Sequence, residues 1–244
     1  MKNIVIYDSG IGGIAIYRLI KKNLPNADFV YFADNANFPY GGKSAEALKS
    51  IAHKNIGEIL SKHETDLVVL ACNTITCVAV DDLRRDYPSA VFVGTEPSIK
   101  QAVQYTANNV LVVSTQNTSV NSRLKKRFPQ SNIIWLALPN LAHMVENDSR
   151  DRETYDYIGE CAKAVDKPFD CVVLGCTHYT LIKDLFGGVF AGKKIFDGAQ
   201  GVAQHVKNLK YKEYRNRAQG ITSLVLTNPD PALYQKYINM LRDY

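Results

Sequence analysis

The chain of 244 residues carries 29 Lys and Arg against 24 Asp and Glu, a net charge of +5, with 46% hydrophobic and 22% charged residues. That length holds one large domain or two of about 100–120 residues, each of ordinary core-forming size. No apolar run approaches the roughly 20 residues of a membrane span, and the N-terminus lacks a signal-peptide layout, so a cytoplasmic chain with no membrane partner is expected.

The first strand is predicted over 3–7, where Asn3-Ile4-Val5-Ile6-Tyr7 runs into Asp8 and the loop Ser9-Gly10-Ile11-Gly12-Gly13. The backbone N–H groups of that loop can hold an anion such as a substrate carboxylate, or the loop is only a structural turn. Ala15 breaks the G-x-G-x-x-G spacing of a dinucleotide site. Further strands are predicted over 29–33, 67–71, 91–94, 110–114, 133–138, 171–175 and 195–197. Their apolar runs are continuous rather than alternating, which suits burial on both faces of a parallel sheet. A helix is predicted over 45–62 from the spacing of Ala45, Leu48, Ala52, Ile56, Ile59 and Leu60, with Glu46–Lys49 and Glu58–Lys62 pairs along it. The tail adds a strand over 223–226, the turn Asn228-Pro229-Asp230-Pro231 and a helix, placed to complete the first domain. Strands alternating with helices define a doubly wound α/β fold.

An internal repeat divides the chain. Asp66-Leu67-Val68-Val69-Leu70-Ala71-Cys72 recurs as Asp170-Cys171-Val172-Val173-Leu174-Gly175-Cys176, and residues 3–9 recur at nearly the same offset as 109–115. Any two Val-rich strands look alike, but here the cysteine itself returns in register. The repeat predicts two pseudo-symmetric doubly wound parallel-sheet domains, 1–95 plus 207–244 on the Cys72 side and 96–206 on the Cys176 side. Ligands of open α/β sheets bind at the carboxyl ends of the strands, so both cysteines are expected to face one cleft between the domains.

The basic cluster Arg123, Lys125, Lys126 and Arg127 reads as a solvated helix face, and so does the stretch holding Lys207, Lys210, Tyr211, Lys212 and Tyr214. No nucleic-acid partner is expected. Five cysteines without a CxxC pair exclude a disulfide scaffold, and Cys72 and Cys77 have no second pair to complete a zinc site. A lone Cys ending an apolar run is usually a small core residue, which is the reading for Cys77, Cys161 and Cys171.

Two thiols facing one cleft suit a reaction that removes a proton from one face of a carbon and restores one on the other, as inversion of an amino-acid Cα requires. One rigid base cannot serve both faces. A thiol, with an ordinary pKa of about 8.5, can be held in either protonation state at modest cost. Both cysteines end a strand and precede a helix, whose dipole favours a thiolate. Asp8 ends the first strand level with Cys72 and can be its proton partner. His178 can relay the proton of Cys176, or be a structural hydrogen-bonder.

The motifs Asp8-Ser9-Gly10, Pro39-Tyr40-Gly41 preceded by Asp34, Cys72-Asn73-Thr74, Glu96-Pro97 and Gly175-Cys176-Thr177-His178-Tyr179 resemble those of the glutamate racemases of the aspartate/glutamate racemase superfamily, over almost the whole chain. The resemblance implies that Cys72 removes the proton of D-glutamate and Cys176 that of L-glutamate, assisted by Asp8 and by His178 with Glu146. It implies substrate binding by Ser9, Tyr40, Gly41, Asn73, Thr74, Thr115, Thr118 and Thr177. It also implies two pseudo-symmetric α/β domains, a homodimer, supply of D-glutamate for peptidoglycan, and no metal or pyridoxal phosphate or other cofactor. The sequence departs from the pattern at Asn35 and Asn37, where a hydroxyl residue and an arginine are usual, at Ser98 for glycine, and at Thr180 for proline. Asp8 lies so near the start that the extension linked to activation by a cell-wall precursor is not expected. An aspartate racemase, which commonly has Glu at the position of His178, an inactive binding protein that keeps the cleft, and a single-cysteine hydrolase are the rival readings. The last leaves the second cysteine unexplained.

Overall fold

The computed structural model describes residues 2–130, 132–148, 151–210 and 220–242. Among the described residues nine strands run in chain order: β1 Asn3–Asp8, β2 Phe29–Ala33, β3 Thr65–Leu70, β4 Val91–Gly94, β5 Val110–Ser114, β6 Ile133–Ala137, β7 Cys171–Gly175, β8 Lys194–Phe196 and β9 Thr222–Leu226. The helices among the described residues are α1 Ile14–Asn23, α2 Ala45–Lys62, α3 Asn73–Asp86, α4 Ile99–Tyr105, α5 Gln116–Val120 and α6 Ser122–Arg127 in the first part of the chain. They continue as α7 Leu141–Glu146, α8 Arg152–Ala162, α9 Thr177–Thr180, α10 Lys183–Val189, α11 Ala199–Lys210 and α12 Pro231–Arg242.

The strands form two sheets, in the orders β4-β3-β1-β2-β9 and β6-β5-β7-β8. Every pairing is parallel. Taken from its β8 edge, the second sheet repeats the first: β8-β7-β5-β6 matches β4-β3-β1-β2, so β1 corresponds to β5 and β3 to β7. The repeat seen in the sequence is therefore a repeat of topology, and β9 is an addition outside β2. All residues of β2, β5 and β7 are buried, because helices cover both faces of each sheet and continuous apolar runs are the pattern that such burial demands.

Local signals act as the sequence implies, with some differences. Ser44 caps α2 by accepting from the Ala47 N–H at 3.1 Å, and Glu58 pairs with Lys62 at 2.8 Å. Lys49, however, pairs with Asp82 at 2.8 Å rather than with Glu46. Helices α2 and α3 pack side by side, and a partner presented by the neighbouring helix displaces the one within its own. The Arg123 cluster is also only partly solvated. Lys125 and Lys126 are exposed, but Arg123 and Arg127 both grip Glu96, and Arg123 reaches Asp81 of α3 at 3.1 Å. Of the second basic stretch, Tyr211, Lys212 and Tyr214 lie outside the described residues. Cys77 and Cys171 are buried, as core residues should be, while Cys161 is half-buried. Among the described residues no helix is long and apolar enough to cross a membrane, and no group of His, Cys, Asp and Glu is arranged to hold a metal ion.

Candidate active site

Cys72 follows β3 and caps the start of α3, and Cys176 follows β7 and caps the start of α9. Because β3 and β7 hold the same place in their sheets, the chain delivers the two thiols from equivalent positions. Each is 7% exposed, and both line one cavity of about 30 Å3. Ser9, Tyr40, Gly41, Thr74, Thr115 and His178 share that lining.

On the Cys176 side, His178 is buried with its Nε2 2.7 Å from Glu146 Oε2. Burial opposes the imidazolium, but hydrogen bonding to Cys176 and to Glu146 outweighs it and raises the imidazole pKa well above its ordinary value. Burial likewise raises the Glu146 carboxyl, yet His178, Tyr237 and the Ile11 N–H together hold it below the usual range. The pair is an ion pair with every carboxylate oxygen hydrogen-bonded. The Phe38 ring lies 5.3 Å from the imidazole and shields it.

On the Cys72 side, burial first, and the Asp8 carboxylate second, push the thiol far up, although backbone N–H groups at the start of α3 favour its ionisation. These surroundings favour the protonated thiol at Cys72. Asp8 itself is buried, and that raises its carboxyl to about 6 against the lowering influence of His178 and of hydrogen bonds from Gly10 and Thr177. A carboxylate with that affinity can take up a proton near neutrality.

The glycine loop does hold anions, but they are the protein's own. The Gly10 N–H donates to Asp8 Oδ1 at 3.0 Å and the Ile11 N–H to Glu146 Oε2 at 3.0 Å. These two donors are therefore engaged with side chains of the protein itself rather than open toward the cavity. The glycines serve close approach instead. A Cβ on Gly12 would stand 2.5 Å from both His178 Nδ1 and Thr177 Oγ1, and one on Gly10 would overlap Glu146 Oε2.

Thr74 and Thr115 hydrogen-bond across the two halves at 2.9 Å, and Thr115 donates on to Thr118 at 3.2 Å. Thr118 is thus one step behind the cavity wall. Asn73 and Thr177 border a separate small void instead, beside the buried Thr95 hydroxyl, which has no protein partner. Tyr40 donates to Asp34 Oδ2 at 2.6 Å and so accepts from Tyr7, 2.6 Å away. Asn37 donates to both Asp34 oxygens, and Asn35 ties the same loop to Asn228 beyond β9. The two unusual asparagines thereby satisfy the buried acid and anchor the loop that carries Tyr40. Ser98 donates to the Asp197 carbonyl at 2.7 Å.

Sequence reasoning missed Tyr237, whose hydroxyl donates to Glu146 Oε1 at 2.6 Å, and Asn117, whose amide donates to the Tyr40 and Lys43 carbonyls. The apolar spacing of the last helix marks Tyr237 as buried, but nothing local says what it touches.

Two parallel sheets of one topology, each flanked by helices and each bringing a cysteine to a shared cavity, define a two-domain α/β protein. The family model described as Asp/Glu/Hydantoin racemase matches residues 12–206. The chain belongs to that family and is an amino-acid racemase. It is 34% identical to the glutamate racemase of Clostridium novyi over 82% of this chain and 80% of that one. With the glutamate racemase of Halothermothrix orenii it shares 31% over 98% of both. Two solved structures are similar over nearly the whole chain. The glutamate racemase of Thermus thermophilus, in complex with β-chloro-D-alanine, has a TM-score of 0.81 at 27% identity, covering 99% of this chain and 93% of that one. That of Escherichia coli, in complex with L-glutamate and the activator UDP-MurNAc-Ala, has a TM-score of 0.83 at 25% identity, covering 97% and 96%.

Proposed function

We propose that the chain interconverts L- and D-glutamate by two-base proton transfer between Cys72 and Cys176. The observation that carries this reading is the pair of buried thiols at equivalent strand ends, lining one cavity. With L-glutamate, Cys176 as thiolate removes the Cα proton, leaving a carbanion delocalised into the carboxylate. Cys72 as thiol then delivers its proton to the opposite face. The reaction ends with the proton on Cys176 and the negative charge on Cys72, and the D-to-L direction is the reverse.

His178, held by Glu146, stabilises the Cys176 thiolate, and Asp8 accepts the proton of Cys72 when that thiol must act as base. Ser9, Tyr40, Gly41, Asn73, Thr74, Thr115, Thr118 and Thr177 bind substrate or support those that do. These groups are hydroxyls, amides and backbone, able to hold two carboxylates and an ammonium without adding a competing strong base. In this reading the domains are 1–95 with 207–244 and 96–206. The product supplies D-glutamate for peptidoglycan in the cytoplasm, and the active species is a homodimer.

Incubation of each glutamate enantiomer in D₂O tests the reading, following optical activity and Cα deuteration. The expected result is racemisation with one deuteron entering at Cα, and a loss of about 100-fold or more in Cys72→Ser and Cys176→Ser. Full-rate racemisation in either variant would sink the two-thiol reading, and activity on aspartate but not glutamate would sink the substrate.

A further inference from the structure

Both oxygens of the mostly buried Glu146 carboxylate are hydrogen-bonded by groups from separate elements. His178 of α9 and the Ile11 N–H of the β1–α1 loop both donate to Oε2, at 2.7 and 3.0 Å, and Tyr237 of α12 donates to Oε1 at 2.6 Å. Asp8, at the end of β1, faces it as a like charge. The same helix holds Glu146 from behind, since Lys236 donates to its carbonyl and pairs with Asp148 at 2.8 Å. That puts a cation at the last turn of α7, where the exposed carbonyls favour one. The Tyr237 ring is itself fixed, fully buried and edge-on to Tyr31 at 6.3 Å, and the Tyr31 hydroxyl donates to the Gly10 carbonyl at 2.8 Å.

We infer that Tyr237, in the C-terminal helix, is a positioning residue for proton transfer at Cys176: its hydroxyl fixes the rotation of the Glu146 carboxylate, and Glu146 in turn aims His178 at the thiol. The geometry carries this. A carboxylate can rotate and present either oxygen to the imidazole. With Oε1 taken by Tyr237, only Oε2 is left for His178, and the buried anion has no unsatisfied oxygen. Tyr237 makes no hydrogen bond on the Cys72 side, so its main effect falls on proton transfer at Cys176, with only a weaker electrostatic effect through Glu146 on Asp8. The inference rests on the reading that His178 and Glu146 serve Cys176, the thiol that deprotonates L-glutamate.

The test is Tyr237→Phe, which removes one oxygen and keeps the ring, with Tyr234→Phe on the exposed side of the same helix as control and Glu146→Gln in parallel. Because a racemase has an equilibrium constant of one, kcat/KM must fall equally in both directions, by about tenfold for one lost hydrogen bond to a charged group. The asymmetry appears in the primary isotope effects. A barrier raised at Cys176 alone makes deprotonation of Cα-deuterated L-glutamate more rate-limiting and increases its isotope effect, while that of Cα-deuterated D-glutamate decreases. Tyr237→Phe is expected to show this skew with unchanged circular dichroism, and Tyr234→Phe to match the wild type. Unchanged kcat/KM, or a fall that alters both isotope effects alike, overturns the inference. If Glu146→Gln is skewed and Tyr237→Phe is not, the inference alone fails. If Glu146→Gln is also symmetric, the reading of the Cys176 side fails with it.

Discussion

The Thr177 hydroxyl donates to Asp8 Oδ2 at 3.2 Å, so the residue that follows one thiol holds the carboxylate beside the other. The two half-sites therefore do not titrate in isolation, as His178 and Glu146 both act on Asp8.

Replacing Asp8 by Asn should stabilise the protein while impairing it. Asp8 has its carboxyl raised from 3.8 to about 6 by burial. A raised folded pKa gives stability that is present below the unfolded value and lost as pH rises through about 6. At neutral pH the buried charge therefore costs up to about 3 kcal/mol. Calorimetric Tm values should be higher for Asp8→Asn than for the wild type at pH 7.5, with the gap closing toward pH 4. A lower Tm for the variant at pH 7.5 would contradict this.

The same carboxyl should shape the pH–rate profile. Proton acceptance from Cys72 requires Asp8 ionised, so kcat/KM should fall on the acid side with an apparent pKa near 6. In Asp8→Asn the rate should drop by about 100-fold or more, and that limb should vanish. A variant profile that keeps the limb would assign it to another group.

Gly10→Ala should damage the Cys176 side. The added methyl would overlap Glu146 Oε2, and that oxygen is pinned by Ile11 and His178, so the acid cannot swing away freely. We expect a destabilisation of about 1–3 kcal/mol and loss of most activity, measured by urea unfolding and by steady-state racemisation. Wild-type kinetics in this variant would show that Glu146 is free to move.

Gly159→Ala provides the contrasting case. Gly159 lies inside α8, and a Cβ there meets nothing within 4 Å. The substitution should stabilise by about 0.5–1 kcal/mol through helix propensity alone and leave racemisation unchanged. A fall in Tm would point to a contact that the methyl disturbs.

Sheet class, strand positions and the doubling of the fold are legible in the order of the residues alone. Continuous Val- and Ile-rich runs have few other ways to be buried, and a cysteine returning in register places both thiols at strand ends. Asp8 and His178 stand out as chemistry-bearing by their places beside the two thiols, and the Pro39-Tyr40-Gly41 loop by its resemblance to the family's motif. Which groups meet depends instead on how distant segments pack. Glu146, His178, Ile11 and Tyr237 converge from four separate segments, and the periodicity of a helix says which face is buried but not what covers it. The glycine loop shows the same limit. Its N–H groups are legible as an anion site, and the contact with Asp8 is local, but the arrival of Glu146 depends on how the second half of the chain closes over the first. Lys49 choosing Asp82 over Glu46 has this cause too, because a packed neighbour competes with a partner one turn away.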